Sequence, residues 1–577
     1  MTVVVPAMHE SPQTECATAA NSGSVRGAIK ALATIRSRSN GSDSPRSGTT
    51  WRWALVGSAL RLAARPPLEW WPFAWIAPIP WLLLIRQEQL VGPRPYHVLW
   101  LAGFAFWMGA LHWLRLPYWA TGIGWVLLSA YLGIFIPLFV ALARHAVHRW
   151  RVPLVLAVPS VWVGLEYARG HLLGGFLMAS LGHSQYHWLE MIQIADLAGA
   201  YAVSFLVFFV AACLAAALPW ETQKWRWMPV AFAALAVVAA WGYGRWRMSA
   251  AHPEEGLSVA LIQGSIDTEM KADPNRRFAV YQEYLTLSEQ AVAGRTDVDL
   301  VIWPETMFRD PLFSHDDDAV PPPDADWSLD DLVVAEQRSR ELLGATAQHL
   351  GAPTLIGLEA MRFRADGVDR WNSAILVQPD GTLGPRYDKI HPVMFGEYIP
   401  LGTVFPWLYD ITPLAGGIRP GAEPVPIEID GVRLAPSICY ENILPHLIAG
   451  QVRTLRSRDE EPDVLVNLTN DGWFWGSSEL DLHLMSAVFR AVECRKPMLV
   501  AANTGCPAWI DGDGRIQRQG PRRATGTIVA PVTLDGRHSL YVAWGDWFAA
   551  ACLCCCLAAC VQLAAGRLGM TRTAMAA

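Results

Sequence analysis

From Trp53 to Trp246 the chain is mostly apolar, with only short polar joints between the apolar runs. Nothing else in the sequence narrows the fold as far, because runs of this length and polarity are most stable as helices in a bilayer. Seven candidate spans can be drawn, at about 53–66, 69–85, 97–114, 122–143, 152–168, 190–218 and 227–246, with an eighth at about 542–566. The first two are short and interrupted by Pro66, Pro67, Pro72, Pro78 and Pro80, which favours a bent or half-inserted pair. The glycine-rich stretch from Arg169 to Glu190 reads as a loop on or in the interface.

Basic residues orient these spans. Arg86 and Arg94 follow the second, Arg144, Arg149 and Arg151 the fourth, and Lys224 and Arg226 the sixth. The third and fifth are followed only by Arg115 and Arg169. An excess of Lys and Arg marks the cytoplasmic side, so the tail and the even-numbered joints face inward. Residues 1–50 are then a disordered cytoplasmic tail, 51–247 a transmembrane domain and 248–540 an outward-facing domain. Residues 541–566 form a C-terminal transmembrane helix that returns Arg567 and Arg572, in a 567–577 tail, to the cytoplasm.

Composition agrees: of 577 residues 52% are hydrophobic and 17% charged, and 28 are Trp, which fits a membrane protein carrying an aqueous domain. The net charge of −6 offers no attraction to nucleic acid. The cysteines show no disulfide or zinc spacing. Cys552, Cys554, Cys555, Cys556 and Cys560 crowd one apolar segment, as small fillers or as sites of palmitoylation or metal binding.

Residues 248–540 alternate short β-rich runs with helical patterns. Strands are expected at Ser258–Gln263, Leu300–Trp303, Thr354–Gly357, Ala374–Gln378, Val432–Ser437, Val464–Leu468, Met498–Ala502 and Pro507–Ile510. Helices are expected after Pro274 and over Leu329–Leu350, and Asp511-Gly512-Asp513-Gly514 marks a hairpin. The fold class is therefore a multi-span helical membrane domain of about eight spans joined to an α/β domain. Residues 309–328, with six Asp and three consecutive Pro, read as an inserted mobile loop.

Three stretches carry chemistry. Leu300–Glu305 is an apolar strand that ends on a carboxylate, and Cys439 stands where the strand after Val432 gives way to the next helix. A thiol at such a turn lies near helix N-terminal amides, which favour the thiolate. Between them lies Arg386-Tyr387-Asp388-Lys389-Ile390-His391. A carboxylate, an ammonium and a thiol suit acyl transfer through a thioester. Glu305 takes the thiol proton, Cys439 attacks a carbonyl and Lys389 stabilises the oxyanion. Each has an ordinary reading too: a capping carboxylate, a surface charge and a small buried hydrophobe.

The order Glu, Lys, Cys resembles the nitrilase (carbon–nitrogen hydrolase) superfamily. With Trp71-Pro72-Phe73-Ala74-Trp75, Gly199-Ala200-Tyr201-Ala202-Val203, Trp303-Pro304-Glu305, Phe395-Gly396-Glu397-Tyr398, Ile438-Cys439-Tyr440-Glu441 and Asn470-Asp471-Gly472-Trp473-Phe474, residues 52–566 resemble the apolipoprotein N-acyltransferase family. The resemblance implies a nitrilase-like αββα sandwich facing the periplasm of the bacterial inner membrane. It also implies a two-step transfer from a membrane phospholipid to the N-terminus of S-diacylglyceryl lipoproteins, with no metal or organic cofactor. Glu305 matches the general base, Lys389 the oxyanion stabiliser, Cys439 the nucleophile, and Glu397, Tyr440 and Glu441 the supporting residues. Trp473, Glu166 and Arg169 are candidate substrate-binding residues, though the first could be core packing and the other two a local ion pair. Ala272 after Lys271, and Met394 before Phe395, depart from the family pattern. A membrane-tethered amidase, a catalytically silent scaffold and an acyltransferase with another amine acceptor are the competing readings. The run Val404–Tyr409 reads either as core or as an arm dipping into the membrane.

Overall fold

The computed structural model describes residues 49–220, 224–250, 254–295, 297–320, 327–402, 404–410 and 417–576. The tail expected over 1–50 falls outside them up to residue 48, and a helix is already under way at Thr49.

In the first half, helices α1 (Thr49–Ala63), α2 (Ile79–Arg86), α3 (Pro95–Ala110), α4 (Thr121–Gly133), α5 (Phe135–His148), α6 (Leu154–His171), α7 (Ala200–Ala217) and α8 (Trp227–Ser249) occupy the seven expected spans, α4 and α5 sharing one. Among the described residues, four stretches are long and apolar enough to cross a membrane: Thr121–His148, Ala200–Ala217, Trp227–Ser249 and Trp547–Ala565. That falls short of eight because α1 has 15 residues, α2 only 8 and α3 16, against about 20 for a full crossing, and the 18 residues of α6 include Glu166 and Arg169. The apolar windows of α8 and of the C-terminal helix are each only 22% buried within the protein, which leaves their outer faces suited to lipid.

The Trp162 ring of α6 stacks on Phe208 of α7 with centroids 4.3 Å apart. Gly164 brings α6 against the C-terminal helix, since a Cβ there would lie 2.7 Å from the Cys552 carbonyl. Cys552 and Cys556 are buried and thus act as small fillers, whereas Cys554 and Cys555 are exposed.

The second half is an αββα sandwich of two six-stranded sheets. One runs β12-β1-β2-β3-β4-β5 and the other β11-β10-β9-β8-β7-β6. In the first, β1 (Glu254–Gln263), β2 (Leu300–His315) and β3 (Thr354–Arg364) are parallel, and β4 (Gly367–Val377) and β5 (Leu383–Asp388) follow antiparallel. In the second, β6 (Ile427–Ile429) precedes the parallel strands β7 (Val432–Ile438), β8 (Val464–Thr469) and β9 (Met498–Ala502). Then come β10 (Ala508–Ile510), β11 (Ile516–Gln519) and β12 (Gly526–Leu534), the last crossing to pair with β1. Val259, Ile302 and Leu355 of one sheet meet Leu434, Val466 and Leu499 of the other in a continuous core.

Helices α9 (Arg277–Val292) and α10 (Leu329–Leu350) cover the first sheet. Helices α11 (Pro445–Arg456) and α12 (Glu479–Cys494) cover the second, and α12 shares one apolar cluster with Leu177, Ile192 and Tyr201 of the helical half. The last helix, α13 (Trp547–Ala576), begins after Gly545, whose φ of +63° separates it from the short helix Leu540–Trp544, and it continues through the segment expected to be a tail.

The expected 309–328 loop is corrected in part. Residues 309–315 extend β2, and Ala319 packs with Leu332 and Phe363, while 321–326 lie outside the described residues. Alternating apolar Leu312 and the pairing of Phe313 with Met361 continue the sheet where the acidic composition hides it. Strands β5, β6, β11 and β12 were not anticipated, because strands at or near sheet edges need little apolar pattern.

Candidate active site

The chemistry-bearing side chains gather where parallel strands end, the usual place for a site in an α/β sheet. Cys439 directly follows β7, Asn470 follows β8 and Asn503 follows β9. Glu305 sits in β2 beyond its paired stretch Val301–Trp303, where the register with β3 shifts. Thr306 there has φ +52°, and Gly357 of β3 makes room, since a Cβ would lie 2.2 Å from the Pro304 carbonyl oxygen. Cys439 has φ +53° and opens the short helix Cys439–Ile443. Left-handed backbone at a β-branched residue and at a thiol is costly, and such strain collects at functional sites.

Lys389 is 1% exposed. Its Nζ donates to Glu397 Oε1 at 2.8 Å and lies 3.7 Å from Glu305 Oε1. Asn372 Nδ2 bridges the two carboxylates, donating to Glu305 Oε1 at 2.7 Å and to Glu397 Oε1 at 3.3 Å. The Asn470 N–H donates to Glu305 Oε2 at 2.9 Å, and the Val393 N–H to Glu397 Oε2 at 2.7 Å. Burial alone would depress the Lys389 ammonium, but Glu397 and Glu305 outweigh it and hold it above its ordinary range. It is therefore a fixed positive charge.

The Cys439 thiol is half-buried and shares this field. Burial first, and then Glu305, push it well above its ordinary range, against the opposing pull of Lys389. This corrects the expectation of a thiolate favoured by helix amides: the helix that follows is a five-residue 3-10 turn, too short to offset burial and a facing carboxylate. Held this way, the group favours its thiol form.

Glu441 is structural to the site. Its Oε2 accepts from Tyr387 Oη at 2.8 Å and from the Ile438 N–H at 2.7 Å, and its Oε1 accepts from the Ile390 and His391 N–H groups at 2.7 and 2.9 Å. Four donors on one carboxylate tie the segment after Lys389 to the turn that holds Cys439. Tyr440 turns the other way, donating to the Gly175 carbonyl at 2.7 Å, while His391 Nε2 bonds the Gly174 carbonyl at 2.8 Å. Gly175 has φ +77° and no room for a Cβ, which would meet the Gly170 oxygen at 2.2 Å. The loop after α6 thus docks on Tyr440, next to Cys439, and on His391, two residues after Lys389.

Glu166 and Arg169 are not brought into this hydrogen-bonded set. They form a buried 3.4 Å pair in α6, though Arg169 is within charge reach of Tyr440. Trp473 is 45% exposed, so it is not core packing; its neighbour Phe474 packs edge-on against Trp113 of the helical half at 4.8 Å. Val404, Phe405 and Trp407 are exposed, which excludes the core reading of that run and leaves an apolar arm. A cavity of about 560 Å³ opens instead between Glu69, Tyr186, Asp481 and Arg522, and none of Glu305, Lys389 or Cys439 lines it.

Sequence reasoning missed several neighbours. Asn372 stands in β4 beside Asp369, Arg370 and Ser373, so nothing in the local pattern singles it out. His483 Nε2 bonds the Cys439 carbonyl at 3.2 Å and its Nδ1 bonds Asp471 at 3.1 Å, and only Asp471 lay in a recognised motif. Lys271 Nζ donates to Thr306, beside Glu305, and burial brings its ammonium down to about 8.

Among the described residues, two groups have metal-ligand chemistry, Asp471–Glu479–His483 and His171–His446–Asp546. In the first, both His483 nitrogens are already engaged. In the second, the imidazoles stack at 4.1 Å with planes 25° apart, so their in-plane lone pairs run side by side rather than converge.

Residues 57–213 match the family model described as apolipoprotein N-acyltransferase N-terminal domain, and residues 258–540 match that described as carbon-nitrogen hydrolase. An apolipoprotein N-acyltransferase of Rhodopirellula baltica is 32% identical over 525 residues, covering 84% of this chain and 91% of the relative. That of Geobacter metallireducens is 33% identical over 501 residues, covering 84% and 89%. A third, of Rhodopseudomonas palustris, is 30% identical over 502 residues, covering 81% and 87%. With a helical half and a nitrilase-like α/β half each matched in turn, this membrane protein belongs to the apolipoprotein N-acyltransferase family.

Proposed function

We propose that the protein transfers an acyl chain from a membrane phospholipid, through a thioester on Cys439, to the α-amino group of the S-diacylglyceryl cysteine that begins a lipoprotein. The observation that carries this reading is the meeting of Glu305, Lys389 and Cys439 beside a loop of the membrane-type half. Both substrates are lipid-anchored, and a nucleophile docked against apolar helices is placed to reach them.

In the first step Glu305 takes the thiol proton as Cys439 Sγ attacks the ester carbonyl. Lys389 offsets the charge on the tetrahedral oxyanion, and the lysophospholipid leaves with the proton held by Glu305. In the second step the lipoprotein amine attacks the thioester, Glu305 takes a proton from nitrogen, and Cys439 departs to be reprotonated. Glu397 and Asn372 position Lys389 and Glu305, while Glu441 positions the turn of Cys439. The exposed arm bearing Val404, Phe405 and Trp407 suits contact with acyl chains. The reading keeps the eight-span organisation, with short α1 and α2 as a half-inserted pair, and a catalytic domain on the periplasmic face of the inner membrane.

Intact-mass analysis of the purified protein incubated with phospholipid tests this. A hydroxylamine-sensitive acyl adduct, absent from Cys439→Ala and discharged by a diacylated lipopeptide, is the expected result. No adduct on folded protein in excess lipid overturns the phospholipid donor and favours an amidase or a scaffold.

A further inference from the structure

Buried charge in the helical half is left unbalanced. Arg61 in the last turn of α1 and Arg65 one turn further on are 1% and 3% exposed. Nε and Nη2 of Arg61, and all three side-chain nitrogens of Arg65, have no hydrogen-bond partner among the described residues. Their neighbours are aromatic: the Arg61 guanidinium lies 4.3 Å from the Phe106 ring centre and 5.2 Å from that of Trp107, and Arg65 lies 5.4 Å from Phe106. Ring faces attract a cation but leave its in-plane N–H groups unused.

Arg169 approaches the same Trp107 ring at 5.3 Å, and among the described residues the carboxylate facing all three arginines is Glu166. Three guanidinium groups against one carboxylate leave two positive charges uncompensated in an apolar setting, a costly arrangement without an anion. Forked donors spread over two residues suit a tetrahedral oxyanion, which offers acceptors in several directions. The cluster also leads toward the nucleophile. Trp107 packs on Phe176 at 5.9 Å, Phe176 follows Gly175, and Gly175 accepts the hydrogen bond of Tyr440.

We propose that Arg61 and Arg65, together with Arg169, bind a phosphate group, that of the phospholipid whose ester is presented to Cys439. The identity of the lipid rests on the donor reading above; the anion site rests on the unpartnered arginines. A lipid headgroup and free phosphate share this chemistry, and the test separates them.

The experiment compares the full-length protein in detergent with Arg61→Met/Arg65→Met by thermal unfolding. The additives are inorganic phosphate, short-chain phosphatidylglycerol, and a diacylglycerol of the same chains. Without additive the variant should be at least as stable as the parent, because replacing buried charge by apolar bulk is neutral or stabilising. Phosphatidylglycerol should raise the parent's Tm and leave the variant's Tm where diacylglycerol puts it. A selective shift with inorganic phosphate too supports the oxyanion site and assigns it to free anions as well as headgroups. Equal shifts in both proteins, or a variant destabilised without additive, overturn the proposal. In Cys439 acylation the variant's apparent KM for phospholipid should rise at least about tenfold, the weight of one charge-assisted hydrogen bond, with a smaller change in kcat. Should the parent form no adduct, the donor reading fails while the unfolding comparison still decides the anion site.

Discussion

Lys389 and Arg65 are both almost wholly enclosed, yet their surroundings differ in kind. Lys389 has Glu397 at 2.8 Å, Glu305 at 3.7 Å and an amide bridging the two carboxylates. Arg65 has the Phe106 ring and no side-chain hydrogen bond among the described residues. The α/β half therefore holds a closed constellation in which each charge is set by another. The helical half holds an open one, in which the side-chain nitrogens of Arg65 have no acceptor among the described residues. A preorganised field suits the stabilisation of a passing oxyanion. Unpaired donors suit a guest that arrives and leaves.

This contrast can be broken in several ways. The largest effect should come from the closed site. Cys439→Ala should abolish the acyl adduct by mass spectrometry, and Glu305→Gln should slow adduct formation about 10²- to 10⁴-fold, the span of a general base. The same Glu305→Gln should speed alkylation of Cys439 by iodoacetamide, because the carboxylate it removes is what helps push the thiol up. Unchanged alkylation would mean that Glu305 does not face the thiol. In the parent, alkylation should climb about tenfold per pH unit through pH 8 with no plateau below pH 9, since the thiol is held above its ordinary range. A plateau near neutrality would indicate a resting thiolate.

Next in size is the tie between segments. Glu441→Gln replaces an acceptor of four donors with a group that itself donates, which should cost about 3 kcal/mol in chemical denaturation. Removing both buried arginines, by contrast, should cost nothing without a guest, and that opposition is the sharpest form of the comparison. The smallest effect belongs to Tyr440→Phe, which removes one hydrogen bond to Gly175 and should lower stability by about 1 kcal/mol. Its acyl transfer to lipopeptide should fall further than that figure implies if the docked loop guides the acceptor.

Much of this was legible from local pattern. Leu329–Leu350 and Met498–Ala502 were placed to the residue, because one carries a helix-length pattern and the other a pure apolar run. The extension of β2 past Glu305 was not, since a continuation carrying Arg309, Asp310 and Pro311 earns strand geometry only by pairing with β3. The thiolate expected at Cys439 failed for a related reason. A helix terminus can be guessed from neighbours in sequence, but the carboxylate that opposes it stands more than a hundred residues away.

By itself the sequence determined the division into a lipid-type helical half and an α/β half, and it placed Cys439 at the end of an apolar strand. Those follow from periodicity and polarity, which act over a few residues. Only the tertiary structure decided the partners. Asn372 meets Glu305 across 67 residues, His391 meets Gly174 across 217, and Tyr440 meets Gly175 across 265. Nor could sequence show that Arg61 and Arg65 lie buried without acceptors, because burial and pairing are properties of what packs around a side chain, not of its position in the chain.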